Sequence, residues 1–293
     1  MEVLHTVDAM QAHADRARAD GRTLALVPTL GALHEGHLAL VRRALDEADH
    51  VTVSVFVNPT QFGPDEDYDD YPRDLDGDRS KLEARGVDAM FAPSVEEMYP
   101  SVADDRLPGP LAWTEVEHLD EHLCGAYREG HFRGVTTVVT KLFHACKPDR
   151  AVFGTKDAQQ YVIIRRLVED LLFDIEVVGV PTVREDDGLA RSSRNAYLDP
   201  DERAQATVLY EAVTAAEAAI EGGEQDPHAV VRAMDRALGE APDAEVEYAS
   251  VVDAHTLQPV DRLAPGQDVL AAVAVYFGDT RLIDNAFVEV PAS

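Results

Sequence analysis

The sequence predicts an α/β protein with a Rossmann-like parallel sheet in an N-terminal domain and a smaller α+β C-terminal domain. Short β-branched runs, such as Thr23 to Val27 and His50 to Val57, alternate with helical patterns, as is typical of a parallel sheet covered by helices. Beyond residue 182 the pattern changes to helices followed by β-rich segments, which indicates helices over a small antiparallel sheet. We therefore predict domains at residues 1–182 and 183–293.

The segment from Leu26 to Arg43 is predicted to join a buried strand to a helix through a turn that contains histidine. The strand pattern ends at Pro28. Apolar residues then recur at helical spacing, at Leu38, Val41, Leu45 and Ala48. Gly31 and Gly36 let the backbone bend and approach a ligand, and a helix N-terminus directs unpaired N–H groups and partial positive charge at that point. The segment is therefore predicted to bind phosphate.

Two histidines occupy the predicted start of this helix. His34 and His37 are three residues apart, so both rings are expected to face the same N-terminal pocket. Zinc binding is one alternative, although the H-E-x-x-H motif separates its histidines by four residues and no further ligand set lies nearby. Two ordinary histidines that cap a helix are another alternative. Spacing alone leaves both open.

The rest of the chain carries weaker structural signals. An amphipathic helix is predicted from Gly134, after a turn at His131 to Gly134. A second strand, loop and helix follow from Arg150, with the loop at Gly154 to Asp157 and a helix that reaches Leu171. In the C-terminal part, Asp199, Pro200 and Glu202 predict the start of a helix that ends at Gly222-Gly223. Gly278-Asp279 predicts a turn between strands.

Composition indicates how many domains the chain can form and in which compartment it is expected. With 293 residues and 45% hydrophobic content, the chain is long enough for two folded domains. No run reaches the roughly 18 apolar residues of a membrane span, and the first twenty residues lack a signal-peptide core, so a cytoplasmic protein is expected. Cys124 and Cys146 show no C-x-x-C pairing and are expected to be structural.

The charge is strongly acidic. The chain has 55 acidic and 26 basic residues, a formal net charge of −29, and only four lysines. No cluster of basic residues exceeds pairs such as Arg42-Arg43, so nucleic acid is excluded as an expected partner. A surface this acidic and this poor in lysine resembles those of proteins from salt-accumulating cytoplasms, where screening weakens self-repulsion. We therefore hypothesise that the protein is halophilic.

Six motifs, found in the same order, give the chain its resemblance to a known family. HEGH matches the H-x-G-H signature of the adenylate-forming nucleotidyltransferases. The others are SVFVNPTQF from Ser54, YPRDLDGD from Tyr71, HFRGVTTVV from His131, VFGTKDAQQ from Val152 and PTVREDDGLARSSRNAYLD from Pro181. Together they resemble the pantothenate synthetases, the pantoate:β-alanine ligases, over almost the whole chain.

This resemblance implies an ATP-dependent ligase that condenses pantoate with β-alanine to pantothenate. The implied route passes through a pantoyl adenylate and releases pyrophosphate and then AMP, with ATP and Mg²⁺ required and a homodimer as the assembly. No general base for the amine attack is identified; the nearby imidazoles are candidates. A nucleotidyltransferase that acts on another cofactor precursor is one alternative. A catalytically silent nucleotide-binding protein is another, although it would be expected to lose Lys156 or the serine pair, and both are retained.

The resemblance also assigns residues to the nucleotide. The implied catalytic residues are His34, His37, Lys156, Ser192, Ser193 and Arg194. The implied ATP-binding residues are Pro28, Thr29, Leu30, His34, Gly36, His37, Gly154, Lys156, Asp157, Val183, Arg191, Ser192, Ser193 and Arg194. Ammonium, hydroxyl and guanidinium groups suit phosphate oxygens. The chain departs from the family pattern at Thr155 and Ala158, where glutamate and tyrosine are usual, and at Arg191, where methionine is usual.

Four residues are implied for pantoate: Gln61, Gln160, Arg128 and Tyr71. Mg²⁺ is expected to be held mainly by the ATP phosphates, with Asp78 as the candidate protein ligand. Asp78 closes a segment from Asp65 that is rich in carboxylates and expected to be mostly solvated surface. A calcium loop that starts at Asp74 is excluded, because glycine and glutamate are missing at its sixth and twelfth positions.

Overall fold

The computed structural model describes residues 1–64, 66–103, 107 and 109–292, so Asp65 and Ser293 of the segments discussed above lie outside the described residues. The chain forms two compact units. The first comprises Met1–Glu117, Arg128–Thr155 and Ile163–Pro181, and the second comprises His118–Tyr127, Lys156–Val162 and Thr182–Ser293. Two short segments from earlier in the chain therefore belong to the second unit, and the predicted boundary after residue 182 stays a prediction.

The first unit is built on a six-stranded sheet in which all neighbouring strands are parallel. Its strands are β1 (Glu2–Leu4), β2 (Leu24–Thr29), β3 (His50–Val55), β4 (Ala89–Phe91), β5 (Arg150–Gly154) and β6 (Glu176–Val180). The strand order is β1-β4-β3-β2-β5-β6, so the order reverses between β2 and β5. In open α/β sheets ligands bind at the carboxyl ends of the strands beside such a switch point. The predicted parallel sheet is confirmed.

Helices cover this sheet. They are α1 (Val7–Ala19), α2 (Glu35–Glu47), α3 (Leu75–Glu83), α4 (Val95–Met98) and α6 (His131–Cys146), whereas α7 (Ala158–Asp170) begins in the second unit and ends in the first. None of the described helices is both long and apolar enough to span a membrane.

Pro28 does not end β2 in the predicted way. Pro28 lies inside β2, opposite Ser54 of β3. Beyond Leu26 the registered pairing of β2 with β5 stops, so a residue without an N–H is tolerated there on the unpaired side. β3 ends at Val55, before the end of the predicted run at Val57, and Pro59 opens a 3-10 turn, Pro59–Gln61.

Several helix limits also differ from the prediction. Ala48 is the C-cap of α2 and lies outside it. The predicted turn at His131 to Gly134 is the first turn of α6, whose N-cap is Gly130, a residue with φ of 74°. Leu171 follows α7 and is 52% exposed, because the helix ends before its apolar face can include it. In each case the periodic pattern was right and the end was set by a backbone turn that the pattern does not encode.

The second unit packs helices against a three-stranded antiparallel sheet, which confirms the predicted smaller α+β fold. Its elements are α5 (Cys124–Tyr127), α8 (Pro200–Gln205), α9 (Val208–Glu221), α10 (Pro227–Leu238), β7 (Ala244–Asp253), β8 (Asp268–Phe277) and β9 (Thr280–Glu289). Asp199 and Glu202 form the predicted capping box. The single predicted helix is two, α8 and α9, since the chain turns between them at Ala206 and Thr207.

Both cysteines are buried and form no disulfide. Cys146 lies on the apolar face of α6, where burial raises the pKa of its thiol. Cys124 belongs to the second unit: its Sγ lies 3.2 Å from the Tyr248 hydroxyl and 3.4 Å from Nη2 of Arg281. Arg281 is also paired with the Glu247 carboxylate. The expected structural role therefore fits both cysteines, although the polar surroundings of Cys124 were not predicted.

A largely buried histidine pair joins α1 to the start of β3. The Nε2 atoms of His13 and His50 are 2.9 Å apart, Nδ1 of His13 lies 2.9 Å from the Glu2 carboxylate, and Nδ1 of His50 lies 3.5 Å from that of Asp88. Burial lowers the pKa of His50; Asp88 and Glu2 oppose this shift, whereas His13 and Arg22 add to it. His50 is therefore expected to be neutral in the folded protein at neutral pH.

We expect His50→Gln to flatten the acid limb of the stability curve. A histidine whose pKa is lowered by folding contributes stability that is complete above its unfolded pKa, about 6.5, and is lost as pH falls through the folded pKa. Glutamine cannot titrate in this range. Urea unfolding between about pH 7 and 5 measures the effect, with the exposed His228→Gln as control. An unchanged pH dependence in His50→Gln would refute this role.

Candidate active site

The two motif histidines are oriented by the start of α2. His34 is the N-cap, and its Nδ1 accepts the N–H of Gly36 at 3.1 Å. Nδ1 of His37 accepts the His34 N–H at 3.4 Å, which completes a capping box. The ring centroids are 4.0 Å apart, so both imidazoles lie at one helix N-terminus, as predicted. Because each Nδ1 accepts, each neutral ring carries its proton on Nε2, where it is a donor.

This arrangement combines the capping role with a donor role and does not resemble a zinc site. Both Nδ1 atoms already accept backbone N–H groups, and the helix N-terminus favours an anion. Within the part of the chain that the structure describes, no three His, Cys, Asp or Glu side chains are grouped so as to hold a metal ion.

Asp78 differs most from its prediction. Its side chain is fully buried, and its two oxygens accept the N–H groups of Ala32 and Leu33 at 2.8 and 2.7 Å. Nζ of Lys81 lies 3.6 Å from the same carboxylate. Asp78 is therefore not solvated surface, because both of its oxygens bind the turn before His34. Its contact with Mg²⁺ stays a prediction.

The ends of β2 and β5 carry further predicted nucleotide residues. The hydroxyl of Thr29 is buried and donates to the Ser54 carbonyl at 2.7 Å, while Pro28 and Leu30 are half-buried. Gly154 ends β5, and the next N–H, that of Thr155, donates to the Val180 carbonyl at 2.8 Å. Thr155 therefore continues the pairing with β6, and its hydroxyl donates to the same carbonyl at 3.3 Å, a bond for which an ionised glutamate has no donor. The other departure, Ala158, is buried.

Gln61 lies in the 3-10 turn after β3, fixed by a residue that sequence reasoning missed. Asn58 is fully buried, and its Nδ2 donates to Oε1 of Gln61 at 3.0 Å and to the Gly134 carbonyl at 3.2 Å. A Cβ on Gly134 would lie 2.2 Å from the Thr60 carbonyl, so only glycine allows α6 to approach this turn. An asparagine directly after a buried strand and before proline was the available signal.

Arg128 is held by an acidic partner that was not predicted. Its Nε and Nη2 donate to the two carboxylate oxygens of Glu66 at 2.7 and 2.6 Å, and Nη1 lies 3.0 Å from Nε2 of His131. Burial raises the pKa of Glu66, but the hydrogen bonds and charge of Arg128 outweigh this and leave it below its usual value. Tyr71, also predicted for pantoate, is buried and packs edge-on against Phe62.

In the second unit, Lys156 and Ser192 line one small cavity, together with Asn195 and Asp284. Nδ2 of Asn285 donates to the Lys156 carbonyl at 2.7 Å, which fixes the backbone of the lysine. The structure therefore brings these two predicted catalytic residues together.

The loop that contains Ser192 and Ser193 is held by local hydrogen bonds. Oγ of Ser192 accepts the Arg194 N–H at 3.3 Å and caps a 3-10 turn, Ser193–Tyr197. The N–H of Arg191 donates to the Val183 carbonyl at 2.9 Å, so these two predicted nucleotide residues are neighbours through the backbone. The Arg191 side chain replaces the usual methionine without changing this bond.

Two adjacent glutamines at the start of α7 differ in burial. Gln160 is half-buried, and Asp157, just before the helix, is exposed. Gln159 is buried and was not predicted: its Nε2 donates to the carbonyls of Leu119 and His122, both at 2.8 Å, and its Oε1 accepts the Gly125 N–H at 3.3 Å. Gln159 therefore organises the loop before α5. The motif that contains Gln159 gave no signal that this side chain binds backbone groups of the protein itself.

Comparison with known proteins gives consistent matches. Residues 2–287 match the family model for pantoate-beta-alanine ligase. The chain is 82% identical over 291 residues to pantothenate synthetase from Salinibacter ruber, with 99% of each chain covered. A crystal structure of pantothenate synthetase from Thermus thermophilus matches at 47% identity with a TM-score of 0.90, and 100% of each chain is covered.

A third relative carries ligands. The crystal structure of pantoate-beta-alanine ligase from Francisella tularensis, complexed with beta-gamma ATP and β-alanine, matches at 30% identity with a TM-score of 0.78, covering 98% of this chain and 97% of that one. The family predicted from the six motifs is confirmed by these matches, and the α/β fold class agrees with them. The chain belongs to the pantoate-beta-alanine ligase family.

Proposed function

We propose that the chain catalyses the ATP-dependent condensation of pantoate with β-alanine, through a pantoyl adenylate. The observation that carries this proposal is the histidine pair of α2, because its capping box turns two imidazole donors toward one helix N-terminus in a member of this family. The Francisella relative was crystallised with beta-gamma ATP and β-alanine, which supports the same substrates here. Pantoate is the acid that the family name specifies.

In the first half-reaction, a carboxylate oxygen of pantoate attacks the α-phosphorus of ATP, and the bond to the pyrophosphate oxygen breaks. No protein nucleophile is needed, so the enzyme acts by aligning two anions and stabilising the charge that develops on pyrophosphate. The proposed donors are His34, His37, Lys156, Ser192, Ser193 and Arg194. We expect Mg²⁺ to arrive with the substrate as MgATP, held mainly by the ATP phosphates.

Further roles belong to the same proposal. Pro28, Thr29, Leu30, Gly36, Gly154, Asp157, Val183 and Arg191 are proposed to contact the nucleotide. Gln61, Gln160, Tyr71 and Arg128 are proposed for pantoate. For Arg128 the Glu66 pair suggests that the guanidinium orients neighbouring groups, because its Nε and Nη2 donors already meet a carboxylate.

In the second half-reaction, the unprotonated amine of β-alanine attacks the acyl carbon of the mixed anhydride, and the bond to AMP breaks. The amine loses a proton as the amide forms; we assign no side chain to receive it, because water can do so. A cytoplasmic location and a homodimer complete the proposal; both follow from the sequence analysis and the family resemblance.

An ordered release assay tests this function. With MgATP and pantoate alone, we expect stoichiometric pyrophosphate release and retention of the adenylate; addition of β-alanine should then release AMP and pantothenate. Pyrophosphate release that does not need pantoate but needs another cofactor precursor would favour the nucleotidyltransferase alternative. No release with any acid would support a silent nucleotide-binding protein.

We also expect concentrated salt to stabilise the fold. A net charge of −29 is confined to one chain, and the Debye length falls from about 8 Å at about 0.15 M to about 3 Å at about 1 M, so only near-contact carboxylates still repel. Melting temperature and initial rate from about 0.1 to 3 M potassium chloride measure the effect, with a non-electrolyte of equal osmolality as control. ATP affinity should weaken modestly, because salt also screens its phosphates. A melting temperature that stays flat or falls would reject the halophilic hypothesis.

A further inference from the structure

A buried carboxylate holds the turn that leads into the motif helix. Asp78, in the first turn of α3, accepts the N–H groups of Ala32 at 2.8 Å and Leu33 at 2.7 Å. One turn further along α3, Nζ of Lys81 donates to the Leu33 carbonyl at 2.8 Å. Three backbone polar groups of the turn are therefore bound by two side chains of one helix.

The turn needs such support because its backbone is in an unusual conformation. Gly31 and Ala32 both have positive φ, 90° and 50°, and alanine rarely adopts this left-handed region. A Cβ on Gly31 would meet Cγ1 of Val55 at 2.9 Å and Oδ2 of Asp78 at 3.2 Å, so the turn is enclosed on the side of the carboxylate. Without Asp78, the buried N–H of Leu33 and the partly buried N–H of Ala32 would lack these acceptors, and the left-handed turn would lose its main restraint.

The Gly31–Leu33 turn binds a carboxylate of the protein where similar turns bind a phosphate. Successive backbone N–H groups that converge on one point form an anion-binding concavity, and in many nucleotide-binding loops that point holds a phosphate. Here Asp78 occupies it. The phosphates of a nucleotide are therefore left to the α2 N-terminus, where His34 follows the turn directly as N-cap.

We propose that Asp78 is a positioning residue for adenylate formation: it fixes the Gly31–Leu33 turn and thereby sets where the His34 and His37 rings lie. This inference rests on the proposed function. Asp78 does not touch the reacting atoms; it acts through the backbone that begins α2. A displacement of the turn would move both imidazoles together, because the His34 ring is bonded to the Gly36 N–H and the His37 ring to the His34 N–H.

The test is Asp78→Asn, which keeps the shape but replaces one acceptor oxygen by an NH₂ group that faces a backbone donor. We expect pantoate-dependent pyrophosphate release to slow by about tenfold or more, since a shift of about 1 Å at a catalytic group has effects of this size. AMP release from supplied pantoyl adenylate and β-alanine should change by less than about twofold, because that step makes no use of the β- and γ-phosphates. The matched control is Asp76→Asn, the same charge change at an exposed position of α3, which should keep both rates.

A second variant separates positioning from general damage. Asp78→Ala leaves a cavity between the two N–H groups, and added formate should restore pyrophosphate release in a saturable way. Parental pyrophosphate release in Asp78→Asn, or equal slowing of both half-reactions, would overturn the proposal. If neither Asp78 variant folds, Lys81→Met takes its place, since it keeps the Asp78 carboxylate and removes the ammonium that donates to the Leu33 carbonyl and lies beside that carboxylate. Selective slowing of pyrophosphate release supports the clamp that these α3 side chains form on the turn, and parental rates overturn it.

Failure of the proposed function is distinguishable from failure of this inference. If the parent protein releases no pyrophosphate with pantoate, the function has failed, and the clamp is then judged by amide hydrogen exchange. We expect the peptide that covers residues 30–36 to exchange faster in Asp78→Asn than in Asp76→Asn. Equal exchange in the two variants would reject the clamp itself.

Discussion

Lys156→Arg should slow pantoate-dependent pyrophosphate release by roughly 10²-fold or more, although the substitution keeps the positive charge. A lysine presents a compact ammonium, whereas arginine presents a broad planar fork. Lys156 lines a small cavity with Ser192 and Asp284, and its carbonyl accepts a hydrogen bond from Asn285, so we expect the broader guanidinium to be displaced from the ammonium position. Single-turnover pyrophosphate release measures the effect directly.

A second lysine provides the control for this substitution. Lys147 forms a surface ion pair with Asp15, and Lys147→Arg should keep the parental rate because either cation suits an exposed carboxylate. A parental rate in Lys156→Arg as well would exclude a point-charge role at the α-phosphate.

His34→Ala and His37→Ala should each slow adenylate formation by roughly 10²-fold or more, as expected when a donor to the transition state is lost. The ATP dependence of the rate should be measured together with the melting temperature, because His34 also caps α2. The exposed His228→Ala is the control for removal of a histidine.

An additional substitution separates the two roles of His34. Asparagine is a good N-cap residue but has no imidazole, so His34→Asn should recover the melting temperature that His34→Ala loses, while adenylate formation stays slow. If His34→Asn restores the rate together with the stability, the histidine is a helix cap only, and the donor role is wrong.

The parallel sheet and the site segments were predictable because their signals are local. Each signal can be read from a short stretch of the sequence. Such signals are the β-branched runs, the change of pattern after residue 182 and the glycine-containing turns. The capping box of α2 follows the same logic, since His34 and His37 are close in sequence. The family resemblance then linked these local signals to a reaction, which periodicity alone does not provide.

Contacts between distant parts of the sequence were not predictable in this way. Asp78 belongs to an acidic segment that composition marks as surface, and its burial depends on a turn more than forty residues earlier. Glu66 and Gln159 are similar, because one pairs with Arg128 and the other with carbonyls before α5. At Pro28 a local signal was misleading. A proline has no N–H and usually ends a strand, but β2 has no paired neighbour on one side at that position, so the strand continues through it.

The interleaved course of the chain has a consequence for biosynthesis. The ribosome delivers the segments His118–Tyr127 and Lys156–Val162 well before residues 182–293, with which they form the second unit. Until β7 and β9 emerge, the Cys124 thiol has neither Tyr248 nor Arg281 beside it. A nascent or truncated chain that ends near residue 182 is therefore expected to present an uncovered thiol to its surroundings. Such a chain would react with thiol oxidants and alkylating reagents at a position that the complete protein keeps buried.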